Sequence, residues 1–288
     1  MKKQNYIDYI FPLMSSTFYG LVPIIQSLAL NKGTIASITI IFCYISGLVL
    51  LLTLMFVKKI NFKITLRDLG LFILLGIILF CTDLLLNTTY TYINTGFATS
   101  IHFIYPTIIC LCGCLFYKNK LNIKKIAGIF LSITGLILIC KNQISLNPIG
   151  IVLAISSALF YSLYLMGIER FMSNKYEPIK ISFYVTTISL IFSIMNIITF
   201  SGKLIFNINS IPYCIIAGIM LISGNICFNE GIKRLTAYKA SFFEILEPVI
   251  CVITSFVIYK DKILLLTVIG ICLIILSLIP IFLDNKKN

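Results

Sequence analysis

Reactive and charged side chains are scarce in this sequence. Only 11% of its 288 residues are charged, and it contains one histidine and no tryptophan. A histidine-based catalytic triad or metal cluster is hard to build from His102 alone. The nucleotide-binding pattern G-x-x-x-x-G-K-[ST], the zinc pattern H-E-x-x-H and the nucleophile pattern G-x-S-x-G are all absent. We therefore expect no enzymatic activity, no cofactor, no metal site and no ATP-driven work by this chain alone.

The ten cysteines do not form a recognisable ligand set. They fall in apolar runs, and no C-x-x-C pair occurs. In the closest group, Cys110 and Cys114 share one face of a helix, whereas Cys112 lies roughly opposite. We interpret the cysteines as small buried hydrophobic residues and expect no disulfide.

Apolar residues, in contrast, fill the chain from end to end. Hydrophobic residues make up 59% of the sequence, and the mean hydropathy is +1.03, far above that of soluble domains. Ten apolar segments are each long enough to cross a hydrocarbon core of about 30 Å. They lack the alternation of a barrel strand, so we predict an all-α integral membrane protein with ten transmembrane helices. The predicted helices are Ile7–Leu30, Ile35–Val57, Leu69–Leu86, Ile93–Phe116, Ile123–Ile139, Ile149–Ile168, Ile181–Phe200, Ile211–Ile232, Ala240–Tyr259 and Ile263–Leu283.

The basic residues predict the orientation of these helices. Eighteen of the 23 Lys and Arg residues lie in the two tails and in alternate loops, and only five lie in the remaining loops. Basic loops stay in the cytoplasm, so both termini are predicted to be cytoplasmic. The net charge of +13 is explained by this distribution, and we expect no nucleic-acid partner.

The sequence repeats itself with an offset of 142 residues. Each half has five predicted helices, and an odd number reverses the direction in which the second half enters the membrane. We therefore predict two inverted five-helix repeats, 1–140 and 141–288. The repeat pairs Tyr19 with Tyr161, Ala98 with Ala240, Pro106 with Pro248, Tyr117 with Tyr259, Lys118 with Lys260 and Gly128 with Gly270.

Ionisable side chains inside a predicted helix are candidates for function, because they are costly in lipid. Glu244 and Glu247 share one helix face, roughly 8 and 12 Å from the cytoplasmic edge at Lys239. The repeat pairs them with His102 and Tyr105. Equivalent positions of an inverted repeat tend to face a common central axis, so these four residues are predicted to line one cavity.

Two close carboxylates in lipid repel each other, which favours binding of a proton or a cationic solute between them. The alternative is that Glu244 and Glu247 are structural groups, hydrogen-bonded between helices.

Other residues extend the candidate site. Tyr19 and Tyr161 are repeat partners in the middle of helices 1 and 6, where they either contact substrate or pack. Asp83 lines an outer vestibule or reaches towards the membrane surface. Glu230 and Arg234 are four residues apart and are predicted to form an ion pair at the interface.

Two prolines follow the polar residues of helices 4 and 9. Proline frees a carbonyl group and kinks a helix, which transporters use to build a hinge or to open a binding site. We predict that Pro106 and Pro248 are hinges.

These features resemble the drug/metabolite transporter superfamily, specifically its ten-helix EamA-type members. The resemblance covers almost the whole chain as two units of about 140 residues. Where the family often has Trp-Gly in helix 1, this chain has Tyr19-Gly20. The residues that carry the resemblance are Ala98, Pro106 and Gly128 in the first half, and Ala240, Leu246-Glu247-Pro248-Val249 and Gly270 in the second.

The resemblance implies a multi-pass carrier in the cell membrane (the inner or plasma membrane) that works by alternating access. We expect a secondary transporter that exports a small organic solute, such as an amino acid, another metabolite or a drug-like compound. The expected partners are the solute, the lipid bilayer and a coupling ion such as a proton. A homodimer is a further possibility that the sequence does not decide. The alternatives are import or exchange of a nucleoside derivative or S-adenosylmethionine, and a membrane sensor that does not transport.

Overall fold

The regular structure of the protein is helical wherever the chain is described. The computed structural model describes residues 6–93, 95–117, 123–139, 147–200, 205–260 and 264–283. Within these ranges there is no β-strand. This outcome follows from the composition, because an apolar chain in lipid must satisfy its backbone hydrogen bonds within each helix.

The first half contains six α-helices in the order of the chain. They are α1 (Ile10–Leu30, after a 3₁₀ turn Tyr6–Tyr9), α2 (Ala36–Val57), α3 (Leu66–Thr89), α4 (Thr95–His102), α5 (Tyr105–Tyr117) and α6 (Ile123–Ile139).

The second half also contains six. They are α7 (Pro148–Gly167, continued by a π-helical turn Ile168–Met172), α8 (Pro178–Phe200), α9 (Ile211–Arg234, after a 3₁₀ turn Ile208–Ser210), α10 (Ala237–Phe243), α11 (Glu247–Tyr259) and α12 (Leu265–Leu283).

Much of the described chain is apolar and long enough to cross a membrane. Seven helical segments meet both conditions, and the segment Ala237–Ile258, which contains the break between α10 and α11, is one of them. Three shorter apolar segments accompany them: Phe97–Gly113, Ile126–Ile139 and Leu265–Ile279. The protein is therefore a multi-pass membrane protein, and ten spans remains the expectation from the sequence.

The sequence predicts helices 4 and 9 as continuous segments, Ile93–Phe116 and Ala240–Tyr259. In the structure each is interrupted, so this part of the prediction was wrong. The first is divided at Phe103 and Ile104 into α4 and α5. The second is divided by a 3₁₀ turn, Glu244–Leu246, into α10 and α11. In both cases a proline is the second residue of the following helix. Proline cannot donate to the carbonyl group four residues earlier, so the ladder of helical hydrogen bonds is released at that point.

The helices of the second half begin 142 residues after those of the first. The 3₁₀ turn before α1 starts at residue 6 and α7 starts at residue 148; α2 and α8 start at 36 and 178. The same offset relates α4 to α10, α5 to α11 and α6 to α12. The two broken helices are therefore one structural feature that occurs once in each half.

Equivalent helices of the two halves run in opposite directions where they meet. A Cβ atom on Gly135 of α6 would lie 2.7 Å from the carbonyl oxygen of Gly270 of α12, and the reverse distance is also 2.7 Å. Gly128, earlier in α6, approaches Ser277, later in α12. Because α6 and α12 are repeat equivalents and pack antiparallel, the second half is inverted with respect to the first.

The remaining contacts between the halves show the same two-fold relation. Helix α1 packs against α9, and α7 packs against α3; α1 packs against α11, and α7 packs against α5. Each contact thus recurs with the halves exchanged. At the second place where equivalent helices meet, the end of α2 (Leu51 and Met55) packs with the start of α8 (Ile179). A pseudo-two-fold axis therefore passes between α6 and α12 and between α2 and α8.

Two polar clusters join the halves at opposite ends of the bundle. In the charged cluster, Asp68 at the start of α3 accepts hydrogen bonds from Lys175 Nζ (2.5 Å), Tyr176 Oη (2.7 Å) and Thr65 Oγ1 (2.5 Å). Asp68 is only 2% exposed. This cluster lies at the end of the bundle where the loops are rich in basic residues.

The neutral cluster is the repeat equivalent of the charged one. The Thr34 and Ser210 hydroxyl groups are 2.7 Å apart, and the backbone N–H of Asn207 donates to Thr34 Oγ1 at 3.0 Å. Thr34 is equivalent to Tyr176, and Ser210 is equivalent to Asp68. The two ends of a pseudo-symmetric bundle are therefore joined by different chemistry.

The glycine contact between α6 and α12 gives a test of this packing. Gly135→Ala places a methyl group against the backbone of α12 and should destabilise the protein by about 1–3 kcal/mol. Gly70→Ala is the control, because a Cβ on Gly70 meets nothing within 4 Å and alanine favours a helix by up to about 1 kcal/mol. Thermal unfolding of the purified protein in detergent measures both. Equal unfolding temperatures for the two variants would contradict the proposed antiparallel contact.

Candidate functional site

The candidate site is built around the two broken helices. Glu244 begins the 3₁₀ turn between α10 and α11, and Glu247 is the first residue of α11. Glu244 is only 1% exposed, and within the described ranges neither of its carboxyl oxygens forms a hydrogen bond of normal geometry, although the Ser15 side chain interacts with it. Glu247 is half-buried. A carboxylate in such a setting is costly unless it binds a proton or a cation.

Aromatic side chains from both halves surround this turn. Tyr105 and Tyr161 pack edge to face with ring centroids 4.7 Å apart, and Tyr161 stacks on Tyr164 at 5.8 Å. Tyr19 packs against Phe228 at 6.5 Å. Tyr19, Tyr105 and Tyr161 all interact electrostatically with both glutamates. The structure therefore brings the predicted tyrosines and glutamates into one interior group.

His102 joins this group through its neighbours. Its ring centroid lies 5.5 Å from that of Tyr105 and 5.3 Å from that of Tyr161. Its Nδ1 atom is 2.9 Å from Ser157 Oγ, and both residues are buried. Within the described ranges no ion pair or hydrogen bond joins His102 to either glutamate. His102 therefore contacts Tyr105 and Tyr161. That it lines one cavity with the two glutamates stays a prediction.

A close approach of two helices fixes the position of Glu247. A Cβ atom on Gly20 would lie 2.7 Å from Ile250 Cβ and 2.9 Å from the carbonyl oxygen of Glu247. Since glycine has no side chain, α1 can pack directly on the first turn of α11. The adjacent Tyr19 is held in turn by Gly224 of α9, where a Cβ would lie 3.0 Å from its ring.

Asp83 lies apart from the interior group. It is half-buried in α3 and accepts a hydrogen bond from the hydroxyl of Tyr44. It lines a cavity of about 360 Å³ together with Asn87. The assignment of this cavity to an outer vestibule stays a prediction.

The predicted ion pair between Glu230 and Arg234 is confirmed. Asp8 of the opposite half also pairs with Arg234, at 3.3 Å. Among the described residues, no cluster of three His, Cys, Asp or Glu side chains could hold a metal ion.

Several polar partners in the site had little signal in the sequence. Ser157 is a small residue in an apolar helix, and nothing in its surrounding sequence indicates its hydrogen bond with His102. Tyr44 is one tyrosine in an apolar helix, and its pairing with Asp83 depends on how α2 packs on α3. Asn225 and Asn229 form a network with Ser182, with distances of 2.7–3.0 Å. Apart from Asn225 with Asn229, which are four residues apart in α9, these partners lie on different helices, so helix periodicity alone does not reveal them.

Replacing Ser157 tests the hydrogen bond that orients His102. Ser157→Ala leaves the buried imidazole nitrogen without a partner, which should cost about 1–3 kcal/mol. Ser132→Ala is the matched control, because both serines are buried and donate to the carbonyl three residues earlier, whereas Ser132 forms no hydrogen bond to another helix within the described ranges. The unfolding temperature should fall more for Ser157→Ala, and an equal fall would show that the bond to His102 contributes nothing.

Comparison with known proteins agrees with this architecture. The chain is 27% identical over 303 residues to an uncharacterized transporter of Clostridium kluyveri, covering 97% of this chain and 94% of that protein. It is 24% identical over 249 residues to the uncharacterized transporter YyaM of Bacillus subtilis, covering 82% and 80%. A crystal structure shares its fold with a TM-score of 0.81 at 13% identity, covering 98% of this chain and 99% of that one.

The match to a family is more direct and covers both halves. Residues 7–141 and 148–283 each match the EamA-like transporter family. The two matched segments follow the two halves that are related by the pseudo-two-fold axis. Both the sequence and the fold therefore lead to the same assignment: the chain belongs to the EamA-like transporter family.

Proposed function

We propose that the protein is a secondary transporter that exports a small organic solute across the cell membrane. The observation that carries this proposal is the pair Glu244 and Glu247 at a break in a membrane-spanning helix. Breaks of this kind, near the middle of two inverted repeats, are where secondary transporters bind substrates and coupling ions. The protein moves its solute without covalent chemistry and without a bound cofactor.

The chemistry of the site favours a solute with an ammonium group. Carboxylates attract a cation, and the faces of aromatic rings stabilise an organic ammonium when water is excluded. Both are present here, in Glu244 and Glu247 and in Tyr105 and Tyr161. Amino acids and organic amines fit this description. A proton bound by the same carboxylates is the coupling ion we propose.

Alternating access follows from the two-fold relation of the halves. An inverted repeat allows the same packing to be adopted with inside and outside exchanged, so one half can rock against the other around a fixed site. Pro106 and Pro248 stand beside the breaks, where the released backbone can bend. We propose ten spans with both termini in the cytoplasm.

Replacing Glu247 tests the site in proteoliposomes. Glu247→Gln keeps the size of the side chain but removes its charge, so efflux should fall by about tenfold or more. This is the factor that corresponds to the free energy of a hydrogen bond to a charged group. Glu230→Gln is the control, because Glu230 is ion-paired at the end of α9. The measurement is uptake of radiolabelled amino acids and organic amines into vesicles of inverted orientation, with an internal pH dye to follow protons.

The outcomes separate the alternatives. Flux only in right-side-out vesicles would favour an importer. Binding of a solute with no flux of any kind would favour a sensor. Equal flux for the two variants and the unsubstituted protein would exclude Glu247 from the transport site.

A further inference from the structure

The cavity beside Asp83 lies outside the interior group. It has a volume of about 360 Å³ and is formed by the start of α2, the end of α3 and the last third of α8. The three adjoining loops, 31–34, 87–92 and 201–210, contain only two Lys or Arg residues between them. By the distribution of basic residues this end of the bundle faces the exterior.

The surface of the cavity is mostly apolar, with several polar side chains and, among the described residues, a single charge. Among the described residues that line it, Asp83 is the only acidic one and none is Lys or Arg. Tyr44 donates to one carboxyl oxygen, Oδ2, and leaves Oδ1 without a partner in the described part of the chain. Asn196 of α8 also lines the cavity, and its side chain forms no hydrogen bond with the described residues. These unpaired oxygens and amides lie in membrane helices, where unpaired polar groups are costly and mark sites of function.

The cavity is electrostatically connected to the interior group. Tyr90 lines it and interacts with both Asp83 and Glu247. Tyr161, which packs against His102 and Tyr105, also interacts with Asp83. Asp83 and Glu247 are thus both near enough to Tyr90 to act on it, so the cavity adjoins the interior group.

We propose that this cavity is an external binding site for the ammonium group of a small organic solute, with Asp83 as its counter-charge. The proposal rests on the proposed transport function and adds a second station on the exterior side of Glu247. The ammonium group donates to the free Oδ1 of Asp83, while the amide of Asn196 and the ring of Tyr90 contact the rest of the solute.

The size and donor set select this class of ligand. A volume of about 360 Å³ is at the small end of ligand pockets, which suits a metabolite rather than a large drug. A calcium ion requires six to eight oxygen ligands, usually with several carboxylates, and one carboxylate does not supply them. An anionic solute is disfavoured because Asp83 is the only charged side chain among the described residues of the lining.

A cysteine reporter in the cavity tests its charge preference. Ser193→Cys on α8 places a thiol among the lining residues. In right-side-out vesicles it is treated with two membrane-impermeant methanethiosulfonates, one carrying trimethylammonium and one carrying sulfonate. The rate of each reagent with the introduced thiol is divided by its rate with 2-mercaptoethanol, which corrects for intrinsic reactivity. Labelling of the native cysteines is measured in the protein that retains Ser193. The cationic reagent should be preferred by about tenfold or more, as in clefts of one charge.

Further variants assign the preference to Asp83. Asp83→Asn should reduce the ratio to about one, because it keeps the acceptor for Tyr44 but removes the charge. Adding Asn196→Asp to that variant should restore the preference, which also shows that the protein is folded. Glu247→Gln should leave the ratio unchanged while transport falls, so failure of the external site and failure of the interior site give different results.

Protection by a ligand completes the test. Benzylamine should slow labelling of the reporter, whereas its neutral analogue benzyl alcohol should not. Three results would each overturn the proposal. They are equal rates for the two reagents with Asp83 present, an unchanged ratio in Asp83→Asn, and equal protection by both ligands.

Discussion

Lipid offers no hydrogen bonds to a peptide group, and this constraint decides where the chain can leave the helix. The two breaks, at residues 103–104 and 244–246, both lie in the packed interior, where Phe103 and Ile245 are buried. Freed carbonyl groups in the interior are separated from lipid by neighbouring helices. The same carbonyl groups are available to bind the solute that we propose is transported. The positions of the breaks and of the candidate site therefore have one physical cause.

The symmetry of the backbone contrasts with the asymmetry of the side chains. Broken helices occur once in each half with the same spacing, yet one break carries Glu244 and Glu247 where the other carries His102 and Tyr105. His102 forms a hydrogen bond with Ser157, whereas Glu244 forms none of normal geometry with the described residues. The two-fold relation supplies a centre at which both halves meet. The difference between the halves then supplies a charge at one side of that centre.

Much of the fold could be predicted from the sequence because its signals are long or repeated. Apolar runs predicted the long helices, and Ile123–Ile139 has the predicted bounds. The offset of 142 residues indicated equivalent elements, and the odd helix number indicated inversion. The ion pair of Glu230 with Arg234 followed from local helix geometry. Each of these signals is contained within one segment or recurs in two.

Other features depend on packing between distant segments and could not be predicted in this way. The break at Phe103 and Ile104 interrupts an apolar run without changing its composition, so hydropathy reads it as one helix. Tyr44 meets Asp83, and Ser157 meets His102, only after the helices are placed side by side. The proline positions did mark the breaks, but a proline alone does not distinguish a bend from a full interruption.

The charged and neutral clusters have a consequence for the resting protein. A perfectly symmetric inverted repeat has the same energy whether it opens to one side or to the other. Here one end is joined by a carboxylate with an ammonium and a phenol, and the other by hydroxyl groups and a backbone amide. Because a difference of about 1.4 kcal/mol changes a population ratio tenfold, unequal bonds of this kind would, in the alternating-access cycle that we propose, set which face the unloaded protein presents first.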